Sequence, residues 1–481
     1  MIYLDYSANP PADPRVLDRF CTVERSCIGN ANSHHQAGAA AKAEIDAATM
    51  KIASLLGVQP AEVIYTSGAS ESNNFALKGL ARLSRHVGKH IISTPLEHSS
   101  VSGTLTALQE QGCEIDLVDI QRDGTIDLEH LKDLLRPDTI AVAVTLVDSE
   151  LGVVQPVDKI AEILKDHPNC HLHVDATQAV GKIPVSFEGV DTMSLTAHKF
   201  YGLNGIGLLL KRRNLALEPL IHGGESTTIY RSGTPTVALA SSLASALELA
   251  VNELPERAAH VQKLNAELRA ALSRRPDVRI NSPEHAIPHI LNLSVQNVKG
   301  TVFQRELDAH GVCVSVKSAC SSDGLPSRAV FAVSRDRRNE IAVELSKALE
   351  SGQSEISKYI PEYLGQFALW LSPRELDEVV AQMEGLLSSP NENVADAALT
   401  TIGSLLAHYS ARKGRFSESA AALDARRRHL TGLLLTGLAS YRESERRESL
   451  RIFGDGLFAS EALTLEEKAD LFTLTAKKIL C

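Results

Sequence analysis

The stretch SLTAHK at residues 194–199, which runs through Phe200 into the glycine-rich YGLNGIG at residues 201–207, decides the fold of this chain. The apolar run that follows, from Gly207 to Leu210, predicts a buried strand. Lys199 would then lie on a tight, partly buried connection, where an amine can lose its proton and become a nucleophile. A lone lysine in a loop is usually a surface residue. The interpretation of Lys199 therefore depends on other parts of the sequence.

A second signal lies upstream, in the run CHLHVDATQ at residues 170–178. Its alternation predicts a strand that carries Asp175 to its carboxyl end, where open α/β sheets bind ligands. An aspartate about two dozen residues before a Schiff-base lysine suits the partner of the pyridinium nitrogen in pyridoxal phosphate. The negative charge keeps that nitrogen protonated, so that the ring can act as an electron sink. A role as a helix N-cap is compatible with this interpretation of Asp175.

A phosphate-binding turn is a third signal. The strand-like run VIYT at residues 63–66 is followed by SGASESNN at residues 67–74. Small and hydroxyl residues at the start of a helix leave backbone N–H groups available for a phosphate, and the helix dipole adds to the attraction. A capped helix without a ligand would explain the same residues.

Composition sets the outer limits. With 481 residues, 44% of them hydrophobic and 22% charged, the chain has the composition of a globular protein of two or three domains. A net charge of −10 argues against a nucleic-acid surface. Seven cysteines without a CxxC pair, and the absence of a signal-peptide pattern, predict a cytoplasmic protein. No apolar run approaches the length of a membrane span, and the histidines at 34 and 35 lack partners at zinc-like spacing, so we expect no metal.

Together these stretches resemble the class V, fold-type-I pyridoxal-phosphate enzymes, and specifically the NifS/IscS-type cysteine desulfurases. The resemblance runs from Tyr3 to about Ser327, with a further fragment near residues 366–385. The family's motifs TSGATESNN, HVDATQ, SxHK, RSGT and SGSACxS all have counterparts in the chain. The resemblance implies an α/β fold with a large domain around a mostly parallel, seven-stranded-type sheet, a small α+β domain and an added helical part.

The domain boundaries follow from where the motifs begin and end. We expect a small α+β domain from residues 1–14 and 255–389 and a large cofactor-binding α/β domain from residues 15–254. Residues 390–481 have no counterpart in the family and are predicted to form a helical extension. The amphipathic run from Val394 to Leu406 resembles one unit of a HEAT-type array. The Arg- and Glu-rich stretch at 412–451 is read as a solvated helical face or, alternatively, a docking surface.

The resemblance also assigns roles to single residues. Lys199 would bind pyridoxal phosphate covalently and abstract the substrate's α proton, Asp175 would hold the ring nitrogen, and His98 would stack on the ring and shuttle protons. Thr234, in the RSGT motif, would reach the cofactor phosphate of a twofold-related subunit, which implies a homodimer. The positions that match the family's cofactor-binding residues are Ala69, Ser70, His98, Ser149, Asp175, Gln178, Thr196, His198, Lys199 and Thr234.

Cys320 is the candidate second nucleophile. A cysteine among Ser, Gly and Lys residues is expected to be exposed, and a nearby cation favours its thiolate. The resemblance implies that Cys320 takes sulfur from L-cysteine, giving L-alanine and an enzyme persulfide. The sulfur would pass to an acceptor protein for iron–sulfur cluster assembly, thiocofactor synthesis or tRNA thiolation.

Three departures from the family pattern keep alternatives open. Ser149 stands where the family has an asparagine, Glu225 where it has a third glycine, and Ala368 where an arginine clamps the substrate carboxylate. One alternative is another class V reaction, such as a selenocysteine lyase or an aminotransferase. The other is a weakly active scaffold that binds the cofactor and recruits partners through its helical extension.

Overall fold

The computed structural model describes residues 1–224, 228–295, 298, 300–316, 327–333, 373–410, 420–438, 440, 442–454, 468–469 and 472–473. The chain divides into two compact units, Met1–Val333 and Ser334–Cys481. The finer division into a small domain, a large domain and a helical extension stays a prediction.

A seven-stranded sheet forms the centre of the first unit, in the order β2-β8-β7-β6-β5-β3-β4. Strand β8 runs antiparallel to both of its neighbours, and all other neighbouring pairs in this sheet are parallel. The predicted mostly parallel α/β fold is thereby confirmed. The strands are β2 (Val63–Thr66), β3 (His90–Ser93), β4 (Glu114–Leu117), β5 (Thr139–Thr145), β6 (His171–Asp175), β7 (Thr192–Thr196) and β8 (Gly207–Lys211).

The central strands are buried on both faces, because helices cover both sides of the sheet. Every residue of β5 is buried. Its alternate side chains enter different cores, with Val142 and Val144 in one and Ala141 and Ala143 in the other. The helices of this unit are α1 (Pro14–Ser26), α2 (Gln36–Leu56), α3 (Ala69–Leu83), α4 (Ser99–Glu110), α5 (Leu128–Leu134), α6 (Val157–Leu164), α7 (Val237–Asn252), α8 (Leu254–Leu272), α9 (Gly300–Ala309) and α10 (Arg328–Val333).

Two small sheets complete the first unit. Strands β9 (Val278–Ile280) and β10 (Leu293–Val295) form an antiparallel pair. Strand β1 (Ile2–Tyr3) pairs in parallel with β11 (Val312–Cys313). The second pair holds the chain's first residues beside the segment that leads to Cys320.

The described part of the second unit is helical. It consists of α11 (Pro373–Leu386), α12 (Glu392–Ser410), α13 (Ala420–Leu438) and α14 (Glu443–Arg451). Helices α11, α12 and α13 each have an apolar face, and buried residues from these faces, such as Val379 of α11, Leu399 of α12 and Leu434 of α13, form the core of this part. No single described helix is long and apolar enough to cross a membrane. The pair α7 and α8, bent by 65°, passes that test only when the two are joined, and only on length and composition.

The register of the main sheet brings several strand ends to one edge. Asp175 at the end of β6 pairs with Thr145 of β5 on one side and with Ser194 of β7 on the other. Thr196, at the end of β7, pairs with Gly207 of β8. Because carboxyl ends of parallel strands form the ligand-binding edge of such sheets, the candidate residues of the sequence fall at this edge.

Candidate active site

Lys199 lies on a short 3-10 turn, Ala197–Lys199, between β7 and β8. The chain turns back immediately, and a Cβ on Gly202 would lie 2.6 Å from the Cβ of Ala197. Tyr201 has a φ of +64° and is the one non-glycine residue with positive φ in the described part of the chain. Its carbonyl accepts a hydrogen bond from the Asp13 N–H at 2.9 Å, and the guanidinium of Arg257 lies 4.6 Å above its ring. These contacts hold a strained backbone two residues after Lys199.

The amine of Lys199 faces the N-terminal segment of the chain. Its Nζ donates to the carbonyl of Ser7 at 2.7 Å and to that of Ala8 at 2.5 Å. These are carbonyls of the segment that follows β1. The side chain is thus directed to the carboxyl edge of the sheet.

Asp175 is buried, and both of its carboxylate oxygens accept hydrogen bonds. Oδ1 accepts from the Thr177 N–H at 2.9 Å, and Oδ2 accepts from Nδ2 of Asn73 at 2.8 Å. Hydrogen bonds to the ionised form favour a carboxylate over a carboxylic acid. The arrangement suits a fixed negative charge, which a pyridinium nitrogen needs as its partner.

Asn73, on α3, connects several groups of the site and was missed by the sequence analysis. Its Nδ2 donates to Asp175 and also to Oγ of Ser100, at 2.8 Å each. Its Oδ1 accepts from Nε2 of His173 at 3.0 Å and from the Ser194 hydroxyl. All four hydrogen-bonding positions of the amide are therefore used. Burial lowers the pKa of His173 to about 4, so this histidine is neutral.

His98 caps α4, and the charges of both Asp175 and Lys199 act on its ring. Its Nδ1 accepts from the Ser100 N–H at 3.1 Å, and the Ser100 hydroxyl lies 2.8 Å from the same nitrogen. Burial lowers the pKa of His98; the charge of Asp175 opposes this shift and the charge of Lys199 adds to it. The neutral ring carries its hydrogen on Nε2, because Nδ1 acts as an acceptor. A flat, neutral imidazole of this kind can stack on a ring and exchange a proton.

The start of α3 offers an anion site. The helix begins at Ala69 without a side-chain cap, directly after Gly68, whose φ is +154°. A Cβ on Gly68 would lie 3.5 Å from Oγ1 of Thr196, and Oγ1 of Thr196 lies 3.1 Å from Nδ1 of His198. Helix N–H groups, a hydroxyl and an imidazole thus converge near Gly68, as a phosphate requires. Burial, Lys199 and Lys182 together lower the pKa of His198 to about 4.

Arg231 ties the RSGT segment to this helix start. Its Nε donates to Oε1 of Glu71 at 3.0 Å, and Oε2 of Glu71 accepts from the Ser67 N–H at 2.7 Å. The Arg231 side chain and the Ser67 hydrogen bond lower the pKa of Glu71, against the effect of its burial. Thr234, three residues after Arg231, is exposed.

Gln178 lies on the turn that follows β6, and Ser149 lies on the turn that follows β5. Gln178 is buried, and its Nε2 donates to the carbonyl of Ser7 at 2.9 Å. Ser149 is half-buried on the turn after β5, beside the buried Asp148. Cys320, Glu225 and Ala368 lie outside the described residues.

The described residues on both sides of Cys320 are anchored near the site. Ser315 Oγ donates to Oδ1 of Asp5 at 2.7 Å, two residues before Ser7. Ser327 caps α10 through the Val330 N–H at 3.0 Å, and its hydroxyl donates to Glu150, the neighbour of Ser149.

These groups fit pyridoxal phosphate. The site supplies an amine, a buried carboxylate, a neutral imidazole and an uncapped helix start flanked by Thr196. When bound, the cofactor supplies an aldehyde for the amine and a protonated ring that withdraws electrons from the substrate. The sheet edge and this set of groups define a fold-type-I pyridoxal-phosphate enzyme.

Comparisons with known proteins agree with this class. The family model of aminotransferase class V matches residues 2–348, which is more than half of the chain. A NifS/IcsS protein homolog of Lactobacillus delbrueckii subsp. bulgaricus is 37% identical over 327 residues, covering 67% of this chain and 85% of that protein. The cysteine desulfurase IscS of Dictyoglomus turgidum is 37% identical over 337 residues, covering 69% and 85%.

Solved structures give the same result. A NifS-like protein superposes with a TM-score of 0.65 at 35% identity, covering 69% of this chain and 89% of the other. The structure of DndA from Streptomyces lividans superposes with a TM-score of 0.59 at 34% identity, covering 67% and 92%. The chain belongs to the aminotransferase class-V family of pyridoxal-phosphate enzymes. Within that family it is a cysteine desulfurase of the NifS/IscS type.

Proposed function

We propose that the chain removes sulfur from L-cysteine, releases L-alanine and retains the sulfur as a persulfide on Cys320. The observation that carries this proposal is the convergence of Lys199, Asp175 and His98 at one sheet edge, in a chain whose relatives are named cysteine desulfurases. The roles of the single residues, the dimer and the cellular location are parts of the same proposal.

Different side chains of the cofactor site have different roles in the proposed reaction. Asp175, held by Asn73 and the Thr177 N–H, keeps a negative charge against the ring nitrogen. The Lys199 amine removes the proton from the substrate's α carbon, and His98 moves a proton at Nε2. The N–H groups of Ala69 and Ser70, with Thr196 and His198, hold the phosphate.

Cys320 carries out the sulfur step. Its thiolate attacks the sulfur of the substrate, so that an S–S bond forms and the C–S bond of the substrate breaks. The electron pair of the broken bond stays with the substrate's β carbon, which takes up a proton to become the methyl group of alanine. Cysteine and an enzyme thiol are thus converted to alanine and an enzyme persulfide, without an external oxidant.

The proposal also covers the transfer of sulfur to an acceptor, the formation of a homodimer and the cellular location. The persulfide passes to a sulfur-acceptor protein for iron–sulfur cluster assembly, thiocofactor synthesis or tRNA thiolation. Thr234 is exposed on the isolated chain, which suits a residue that reaches a second copy's phosphate in a homodimer. We place the enzyme in the cytoplasm because the sequence contains seven cysteines without a CxxC pair.

The test uses the purified full chain loaded with pyridoxal phosphate. We expect L-cysteine to give alanine and a persulfide that is mapped to Cys320 by peptide mass spectrometry. Cys320→Ala abolishes persulfide and lowers alanine release by about a hundredfold or more. Cys21→Ser, at a half-buried cysteine of α1, serves as the matched control and leaves both unchanged. Turnover of selenocysteine alone, or amino transfer without persulfide, would support another class V reaction, and no turnover would support the scaffold alternative.

A further inference from the structure

Lys182 is a second buried lysine beside the site, and the proposed mechanism does not use it. It is 8% exposed, and its Nζ donates to Oε1 of Gln178 at 2.8 Å. Buried lysines are rare unless a carboxylate pairs with them. Within the described part of the chain, no ion pair involves Lys182. Burial of this amine therefore costs free energy, and its hydrogen-bond partner is the uncharged amide of Gln178.

The contact with Lys182 decides which end of the Gln178 amide faces the site. Oε1 is taken by the amine of Lys182, so Nε2 is the end that donates to the Ser7 carbonyl at 2.9 Å. The same carbonyl accepts from Nζ of Lys199 at 2.7 Å. A reversed amide would place Oε1 against the Ser7 carbonyl and Nε2 against the Lys182 amine, so that both hydrogen bonds would be lost. Hydrogen bonds thus link the Lys182 amine, through Gln178 and the Ser7 carbonyl, to the amine of Lys199.

Lys199 is the charged neighbour that acts on the Lys182 amine. Burial, and next the charge of Lys199, lower the pKa of Lys182 to about 7. Lys182 in turn contributes to lowering the pKa values of His198 and His289, each to about 4, after the larger effect of burial. Both the neutral and the protonated amine of Lys182 can donate to Oε1 of Gln178. The orientation of the amide is therefore kept on both sides of neutral pH.

We propose that Lys182 is a positioning residue of the cofactor site: its amine fixes the Gln178 amide with the Nε2 donor directed to the side of Ser7 and Lys199, where it would be available to the bound cofactor. This inference rests on the proposed function, because it takes Lys199 as the cofactor's attachment point.

The test measures how firmly the loaded full chain retains pyridoxal phosphate, from the loss of visible absorption after dilution. Lys182→Met keeps the length of the side chain and removes its donor. We expect the cofactor to be lost about tenfold faster, which corresponds to one hydrogen bond of the strength that charged groups make. Lys165→Met, at an exposed lysine that pairs with Glu162, is the matched control and has no effect.

Two variants of Gln178 separate positioning from a general structural role. Gln178→Glu keeps an acceptor for Lys182 but removes the donor toward Ser7, so we expect rapid cofactor loss. The thermal unfolding midpoint of the cofactor-free variant should stay close to that of the cofactor-free wild type, because the Ser7 carbonyl still accepts a hydrogen bond from Lys199. In a Gln178→Ala background, Lys182→Met should change the rate of cofactor loss less than twofold, because the amide through which it acts is gone.

The outcomes are distinguishable. Unchanged retention in a folded Lys182→Met variant overturns the inference, as does unchanged retention in Gln178→Glu or a full additional loss from Lys182→Met in the Gln178→Ala background. If Lys182→Met does not fold, Gln178→Glu alone decides. A wild-type chain that retains the cofactor but releases no alanine would contradict the proposed function without affecting this test.

Discussion

Glu97, the residue before His98, shows how a single half-buried acid can shape the site. Its Oε1 accepts from Oγ1 of Thr94 at 2.7 Å and from the Thr145 N–H at 2.9 Å, while Oε2 is buried without a hydrogen-bond partner. Burial raises the pKa of Glu97 to about 8, and the charges of Asp175 and Asp148 add to the effect. The neutral acid therefore ties the turn that carries His98 to the end of β5.

The first prediction concerns the pH dependence of this acid. The pKa of Glu97 is about 8 in the folded chain against an ordinary value of 4.5. Between these values the folded state holds the proton and the unfolded state releases it, so this group's contribution to stability falls as the pH rises from 4.5 to 8. Glu97→Gln keeps the acceptor oxygen and cannot ionise. Its stability relative to wild type should rise between pH 5 and pH 9, on the order of a few kcal/mol.

Urea unfolding of the two proteins at a series of pH values checks this prediction. Glu129→Gln, at an exposed glutamate of α5, is the control and should show no such trend. A stability difference between Glu97→Gln and wild type that stays constant from pH 5 to pH 9 would show that Glu97 is ionised throughout.

At the scale of elements, the strands at the site can be predicted from local sequence patterns. The side chains that connect these strands by hydrogen bonds cannot be predicted in this way. The alternation of β6 and the apolar run of β8 predict both strands, because side-chain direction in a strand repeats every two residues. The role of Asn73 has no local pattern, since its partner His173 is 100 residues away. Glu97 and Lys182 were missed because burial, which a local pattern does not reveal, shifts the pKa of each.

The junction of β7, β8 and α3 gives an element-scale prediction. A Cβ on Gly207 would lie 2.6 Å from the Leu195 carbonyl oxygen and 2.7 Å from Cα of Gly68. Gly207→Ala therefore separates the strands or displaces the start of α3, and we expect destabilisation by about 1–3 kcal/mol with weaker cofactor retention. Thermal unfolding and absorption measure the two effects.

Gly103 provides the control for this glycine substitution. It lies within α4, and a Cβ there would meet nothing within 4 Å. Gly103→Ala should stabilise the chain by about 0.5–1 kcal/mol, because alanine is the better helix former. If Gly207→Ala behaves as Gly103→Ala does, the close approach at the phosphate end of the site is not required.

At the scale of the whole molecule, the chain divides into two compact units, and buried apolar residues lie in the described part of each. The first belongs to the cofactor fold, and the sequence predicts it well because the family motifs cover it. The second lies among α11–α14, where Arg426 of α13 pairs with Asp377 of α11 at 2.9 Å and a Cβ on Gly437 would lie 3.0 Å from Cδ2 of Leu399. Amphipathic helices predict a helical unit there, but not its function, because a helical face carries no chemistry of its own.

Two compact units predict two thermal transitions. In calorimetry of the full chain we expect pyridoxal phosphate to raise only the transition of the first unit, because a ligand stabilises the unit that binds it. Gly437→Leu should lower only the other transition, since the larger side chain would overlap Leu399. A single transition that shifts as a whole with both changes would show that the chain unfolds as one cooperative body.

The most direct test of the central claim is to locate the cofactor on the chain. The purified full chain, incubated with pyridoxal phosphate and reduced with borohydride, should absorb in the visible range before reduction and carry the cofactor's mass on the peptide that contains Lys199. Lys199→Ala should be colourless and unlabelled, whereas Lys182→Met should still be labelled at Lys199. A colourless wild-type chain, or a label on Lys182 or another lysine in its place, would contradict the account.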